Sequence, residues 1–155
     1  NSPAALISGG RVLNRERARG VLAPFQAFLD WWEVNGPFAI RVQPDGGVRT
    51  NEALQASLYA RGVTKAKSLS ETAHGRAAAL DVVPANWSQR TVTAADYAQF
   101  KTIAREAARF GLSWGGDGRD WITAFPPSAS NPYGGDLPHL QLAAWRTLPF
   151  PPRLA

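Results

Sequence analysis

Helical and strand-like segments follow one another irregularly along this chain of 155 residues, and their order limits the folds it can adopt. Three segments carry apolar residues at helical spacing, and three shorter segments have the apolar character of strands. A regular alternation of strand and helix would indicate a parallel α/β sheet, but the segments do not alternate in that way. We therefore predict an α+β fold.

The predicted helices cover 15–34, 51–61 and 94–110, and the predicted strands cover 38–42, 80–83 and 139–144. Asn51 can cap the second helix, and Gly62 and Gly111 can end the second and third. Mostly loop is expected over 63–79 and 124–135, with little regular structure in the glycine-rich stretch 112–118. We expect one domain over 1–155, with an irregular arm over 1–14 and a proline-rich tail over 146–155.

Composition is typical of a globular protein, with 45% hydrophobic and 19% charged residues. No apolar run approaches the ~20 residues of a membrane helix, and no signal peptide is visible, so we expect no membrane span. The chain begins at Asn1 and has no methionine. We therefore expect a processed chain whose targeting segment could be missing. The absence of cysteine excludes disulfides and thiolate zinc sites without fixing the compartment.

The formal net charge is +5 and the isoelectric point is about 10.2. A basic surface favours anionic partners such as nucleic acid, acidic lipid or an acidic cell-wall polymer. The arginines are scattered, apart from a modest group at Arg11, Arg15, Arg17 and Arg19. No nucleic-acid-binding motif accompanies them, so we expect no nucleic acid partner. A nucleic-acid binder would need clustered cations and stacking aromatics on one face.

The chain has only two histidines, and each lies near an aspartate. Asp81 follows His74 by seven positions, and Asp136 precedes His139 by three. Two imidazoles and one carboxylate form a three-ligand set that leaves a fourth position open, as in catalytic zinc sites. The second aspartate could then serve as a base.

Each pair also has an ordinary interpretation. A lone histidine is more often a core or surface residue than a ligand, and Asp136 beside two glycines is typical of a turn. However, both histidines begin or precede a short apolar strand, so their side chains could converge across a small sheet. The combined pattern therefore predicts a Zn²⁺ site.

The same residues resemble the LAS-type zinc peptidases. That group comprises the D-Ala-D-Ala carboxypeptidases and dipeptidases, the phage L-alanyl-D-glutamate endolysins and the hedgehog signalling domain. Their pattern S-x-H-x-x-G-x-A-x-D is similar to residues 72–81, where Thr72 replaces serine and Ala77 replaces glycine. Their D-x-P-H-F-Q pattern is similar to residues 136–141, where Leu140 replaces the aromatic residue.

Two further stretches extend the resemblance, which covers about Arg49 to Gln141. Family members often carry an arginine ahead of a helix that reads Q-x-x-L-Y-A-x-G, and here Arg49 precedes such a stretch at 55–62. Residues 111–116 are similar to the family's G-L-x-W-G-G stretch. The resemblance implies a small antiparallel sheet flanked by helices.

The resemblance also implies roles for individual residues. His74, Asp81 and His139 would hold the zinc ion. Asp117 and Asp120 compete as the catalytic acid, but the family spacing selects Asp136, which would take a proton from water and deliver it to the leaving amine. Arg49 would stabilise the oxyanion or anchor a substrate carboxylate, the alternative being an ordinary surface arginine near a turn.

The resemblance implies a zinc peptidase that acts on peptidoglycan stem peptides at the bacterial cell wall, and we expect the protein to be a monomer. The D-x-P-H-x-Q form and the short length favour an L-alanyl-D-glutamate endopeptidase, with a D,D-carboxypeptidase or dipeptidase as the alternative. Phage lysis, wall remodelling and delivery as an antibacterial toxin all stay open. A zinc-bearing binding module without turnover is a further alternative, although such a module has no need of a base at Asp136.

Overall fold

A five-stranded sheet forms the centre of the fold in the computed structural model, which describes residues 11–88 and 91–152. The strands are β1 (Val12–Leu13), β2 (Ile40–Val42), β3 (Ala79–Pro84), β4 (Leu112–Trp114) and β5 (His139–Leu142). The helices are α1 (Ala23–Asn35), α2 (Glu52–Ala60), α3 (Ala94–Ala108) and α4 (Arg119–Ala124). Turns of 3₁₀ helix lie at Arg15–Ala18, Leu69–Glu71, His74–Arg76 and Trp145–Thr147.

The sheet has the order β1-β2-β3-β5-β4. Strands β1 and β2 are parallel, and every other neighbouring pair is antiparallel. This arrangement confirms the α+β class. The central strand β3 is buried on both faces, which explains its nearly continuous apolar sequence. Asp81 is the charged residue within that strand, and it pairs directly with His139 on β5.

The main core lies between α1, α3 and the sheet. The apolar stripe predicted for α1 is buried, and Trp32 Nε1 donates a hydrogen bond to the Phe38 carbonyl at 2.7 Å. On β5, Leu140 is buried against the same core while Gln141 lies on the opposite face with His139. The core therefore fixes which face of β5 carries the polar side chains.

Several element boundaries differ from the sequence predictions. The segment expected as one helix from residue 15 is a 3₁₀ turn followed by α1, because Gly20 has a φ of 84° and interrupts the helix between them. A short strand, β1, lies within the expected irregular arm, of which residues 1–10 lie outside the described residues. Helix α4 was not predicted, since it is short and has no buried residue.

The sequence predicts that Leu54, Leu58 and Tyr59 line the buried face of helix α2, and the structure agrees in part, since Leu54 and Leu58 are half-buried. The cap of the helix is as expected, with Asn51 Oδ1 accepting a hydrogen bond from the Leu54 amide at 3.0 Å. However, the buried residue is Gln55, whereas Tyr59 is exposed. The Gln55 amide donates to the Ala66 carbonyl at 2.8 Å, which satisfies this buried polar group.

Candidate metal centre

Strand pairing places Asp81 opposite His139. The two residues are Cα partners in the β3–β5 ladder, and Asp81 Oδ1 lies 3.1 Å from His139 Nδ1. Side chains of directly opposed residues on neighbouring strands lie close together. Two residues 58 positions apart in the sequence therefore meet through the register of one ladder.

His74 reaches the same point from the 3₁₀ turn just before β3. Thr72 organises this turn, because its hydroxyl donates to the Leu69 carbonyl at 2.9 Å and accepts from the Gly75 amide at 2.7 Å. Gly75 is required there, since a Cβ would lie 2.2 Å from the Leu69 oxygen. His74 Nε2 lies 3.2 Å from Asp81 Oδ1.

The Pro44–Gly47 turn holds both residues in place. The Gly46 carbonyl accepts from the Asp81 amide at 2.7 Å, and the Gly47 carbonyl accepts from His74 Nδ1 at 2.9 Å. A Cβ on Gly47 would lie 2.2 Å from the Arg17 oxygen, so glycine permits this close approach. One tight turn thus orients a carboxylate and an imidazole together.

The spacing of the three side chains fits a tetrahedral metal ion. Ligand atoms of His74, Asp81 and His139 all lie within 4.8 Å of one another. Ligands about 2.0–2.1 Å from zinc in tetrahedral geometry are separated by roughly 3.3 Å. The two distances to Asp81 Oδ1, 3.1 and 3.2 Å, are close to that separation.

The protonation state of His74 also favours a cation between its ring and the Asp81 carboxylate. A carbonyl can only accept, so His74 Nδ1 carries the hydrogen that faces Gly47. Burial lowers the pKa of His74, so the neutral ring presents its Nε2 lone pair to a carboxylate oxygen. Two lone pairs at 3.2 Å repel each other unless a cation lies between them. The donor set therefore fits a metal ion.

His139 carries an extra proton when no metal ion is bound. Burial alone would lower its pKa, but the hydrogen bond and charge of Asp81 raise it to about 9. Burial would likewise raise the pKa of Asp81, yet the neighbouring His74 and His139 imidazoles hold it well below its usual range. A proton on His139 thus occupies the position at which a metal ion would bind.

Asp136 lies on the wall of the same cleft. The His139 amide donates to the Asp136 carbonyl at 3.1 Å, which closes a turn at Leu137–Pro138 and folds the aspartate back toward the histidine. Partial burial raises the pKa of Asp136 to about 6. The two competing acids, Asp117 and Asp120, are exposed and do not line the cleft.

Gly115 and Gly135 bring the Asp136 segment against β4. The Asp136 amide donates to the Gly115 carbonyl and the Gly115 amide donates to the His139 carbonyl, both at 2.7 Å. A Cβ on Gly115 would lie 2.4 Å from the Asp136 oxygen. Gly135 has a φ of 82°, a conformation that favours glycine. The glycine-rich stretch singled out in the sequence therefore serves close packing beneath the site.

Arg49 contacts the candidate ligands directly. Its Nη2 lies 3.6 Å from Asp81 Oδ2, and its backbone amide donates to the His74 carbonyl at 3.2 Å. The guanidinium also donates to the Asp45 carbonyl at 3.1 Å and to Gln55 Oε1 at 3.4 Å. These contacts fix the guanidinium beside Asp81 at the cleft.

The three residues of the cluster line a cleft of about 910 Å³. One wall carries Trp121, whose ring centre lies 5.0 Å from that of His139, and Phe125, which stacks against Trp121. The Lys65 ammonium lies over Phe125 at 5.6 Å, and the Arg146 guanidinium lies over Trp145 at 4.4 Å. Neither cation has an ion-pair partner among the described residues, so both can interact with an anionic ligand.

Sequence reasoning missed three contributors to the site. The Gly47 carbonyl has no side-chain signal, although the double glycine indicated a tight turn. Trp121 lies on the unpredicted helix α4. Gln141 belongs to the motif around His139, and its Oε1 lies 2.8 Å from His139 Nε2. Its position two residues along a strand from a candidate ligand was the available signal.

The fold is shared with a known enzyme. The structure is similar to the crystal structure of Serratia marcescens L-Ala D-Glu endopeptidase ChiX, with a TM-score of 0.56 and 21% sequence identity. The alignment covers 88% of this chain and 92% of that chain. No protein-family model and no curated protein sequence matches the chain. Among the described residues, no helix has the length and apolar character needed to cross a bilayer.

Proposed function

We propose that this protein is a zinc-dependent peptidase that hydrolyses the stem peptides of peptidoglycan between L-alanine and D-glutamate. The observation that carries the proposal is the convergence of His74, Asp81 and His139 in a cleft that Asp136 also lines. The similar fold of an L-Ala D-Glu endopeptidase supports the choice of substrate. The site of action would be the bacterial cell wall.

The three clustered side chains would hold the metal ion. A zinc ion with three protein ligands acidifies water to a pKa of about 7 and polarises carbonyl oxygens. Asp81 Oδ1 would lie between the two imidazoles, as it does in the structure. The Gly47 carbonyl and Arg49 would keep His74 and Asp81 oriented.

Asp136 would transfer a proton from the attacking water to the leaving amine. Its carboxylate accepts a proton from the attacking water and then gives it to the amine of D-glutamate as the peptide bond breaks. A carboxyl whose pKa is raised to about 6 is ionised at neutral pH and yet basic enough to hold a proton transiently. Asp136 is therefore suited to act first as base and then as acid.

The charge of the cleft agrees with this substrate. Glutamate retains a free carboxylate in such a peptide, and Lys65 and Arg146 line the cleft without ion-pair partners among the described residues. The formal net charge of +5 would also favour association with an anionic wall. The aromatic wall at Trp121 would limit the size of the residue next to the scissile bond.

Incubation of zinc-loaded protein with purified peptidoglycan tests the proposal. We expect new free amino groups on D-glutamate and no new reducing sugar ends, measured by end-group labelling and by mass analysis of the released peptides. A chelator-treated sample is the control. Release of free D-alanine would indicate a D,D-carboxypeptidase, and zinc binding without any product would favour a binding module.

A further inference from the structure

Gln141 contacts a candidate ligand but has no role in the proposed chemistry. It lies two residues after His139 on β5, so both side chains extend from the same face. Its Oε1 lies 2.8 Å from His139 Nε2. The backbone of Gln141 is in register with Ala79 on β3 and Ser113 on β4, so neighbouring strands on both sides fix its position.

The direction of this hydrogen bond decides which nitrogen of His139 can bind a metal ion. An amide oxygen only accepts, so His139 Nε2 must carry a hydrogen. In the neutral ring the other nitrogen, Nδ1, then has the free lone pair. Nδ1 is the atom that faces Asp81 Oδ1 at 3.1 Å, within the candidate metal centre.

The opposite tautomer of His139, with its hydrogen on Nδ1, would be unable to bind a metal ion at this centre. A hydrogen on Nδ1 would occupy the space between His139 and Asp81, and the free lone pair would face Gln141. We infer that Gln141 is a positioning residue that selects the Nε2–H tautomer of His139 and so presents Nδ1 to the metal ion. This inference rests on the metal centre of the proposed function.

Substitutions at Gln141 test the inference through zinc affinity and not through turnover. Gln141→Leu removes the acceptor at similar size, and Gln141→Ser is too short to reach His139. We expect both variants to bind zinc about 10–100-fold more weakly, the usual effect of removing a hydrogen-bond partner of a ligand. Gln141→Glu retains an acceptor and should bind zinc about as well as the parent chain. Competition with a chromophoric chelator gives the affinities.

Gln43→Leu is the matched control. Gln43 is half-buried at the same cleft, and its side chain makes no hydrogen bond to a described residue. The same substitution there should leave zinc affinity unchanged. Melting temperatures of the zinc-free proteins show whether every variant is folded.

Nitrogen NMR gives a second readout that simple destabilisation would not alter. The chain has only two histidines, so a ¹⁵N-histidine-labelled sample gives two sets of imidazole signals. In the zinc-bound protein we expect an Nε2 proton on His139 that exchanges slowly with solvent, and whose exchange stays slow in Gln141→Glu and becomes fast in Gln141→Leu.

Two outcomes would contradict the inference in different ways. If the parent chain and Gln141→Leu bind zinc equally and the Nε2 proton exchanges equally slowly in both, Gln141 does not position His139, although the metal centre stands. If the parent chain binds no zinc, the metal centre fails, and the role of Gln141 toward it fails as well.

Discussion

Asp81 and His139 are direct partners in the β3–β5 ladder, and their side chains meet at 3.1 Å. The same carboxylate oxygen lies 3.2 Å from His74 Nε2. One oxygen thus links the two imidazoles, and the site is built around a residue whose backbone is fixed within the central strand. Without a metal ion, only a proton between the Asp81 oxygen and a ring nitrogen can offset the repulsion of their lone pairs.

Zinc binding should therefore displace a proton from His139. Its pKa is raised to about 9, so the ring is charged at pH 7 and must lose the Nδ1 proton to become a ligand. We expect zinc affinity to rise by up to about tenfold for each pH unit between pH 7 and 9. Calorimetry at pH 7.5 in buffers of different ionisation enthalpy should show release of about one proton per zinc. An affinity that does not change across this range would contradict the prediction.

Ala77 has a left-handed backbone conformation that is unfavourable for a residue with a side chain. It has a φ of 60°, and it occupies the position where the resembling family has glycine. Ala77→Gly and Ala79→Gly each remove a fully buried methyl group, but only the first relieves left-handed backbone strain. We expect Ala79→Gly to cost about 1 kcal/mol more unfolding free energy than Ala77→Gly. Urea denaturation of both variants measures the difference, and equal costs would show that Ala77 is not strained.

Most of the fold could be predicted because the spacing of apolar residues along the sequence indicates which side chains are buried. The stripes on α1 and α3 and the alternation on β5 depend on local sequence, and the structure confirms them. On α2 the partial burial of Leu54 and Leu58 agrees with the prediction, but the burial of Gln55 was not predicted, since it depends on the Ala66 carbonyl, eleven residues away. Helix α4 has no buried residue and so leaves no apolar pattern to read.

Part of the candidate metal centre could also be predicted from the sequence, but for a different reason. The four side chains proposed for zinc and proton transfer are chemically distinctive, and the chain has only two histidines. The register that pairs Asp81 with His139 and the Gly47 carbonyl that faces His74 are tertiary features. No local pattern encodes the contact of a backbone oxygen with a side chain 27 residues later.

Gly115→Ala should disturb both stability and the site. The added Cβ would lie 2.4 Å from the Asp136 oxygen and 3.0 Å from His139 Cβ, so the Asp136–His139 turn would have to move. We expect a loss of about 2 kcal/mol of unfolding free energy, as for other overpacked sites, together with weaker zinc binding. Gly118→Ala is the control: its added Cβ meets no atom within 4 Å, so only its φ of 82° carries a cost and zinc affinity should not change. Equal zinc affinity in both variants would contradict the prediction.

The acidic limb of the activity profile should reflect Asp136. A base must be ionised, and partial burial raises the pKa of Asp136 to about 6 without metal. A bound cation lowers that value, so turnover should fall as the pH drops through about 6 or somewhat below it. Turnover measured from pH 4.5 to 8, with zinc content assayed at each pH, separates this limb from metal loss. A limb that follows zinc content alone would indicate that Asp136 is not the base.

Asp136→Asn should lose turnover while stabilising the metal-free protein. The uncharged amide cannot accept a proton, so we expect catalysis to fall by about 100-fold or more with zinc still bound. For stability, the pKa of Asp136 is raised from 3.8 to about 6 on folding, so the ionised carboxylate destabilises the fold above that pH. This cost is absent below pH 3.8, grows as the pH rises to 6 and then stays constant at about 2–3 kcal/mol. Urea denaturation at pH 4 and pH 8 should therefore show an advantage for the asparagine variant only at pH 8.

Asp81→Asn is the contrasting variant, because it should weaken zinc binding itself. Turnover near that of the parent chain in Asp136→Asn would assign the proton transfer to another group, and equal stability at both pH values would contradict a carboxylate held at an energetic cost.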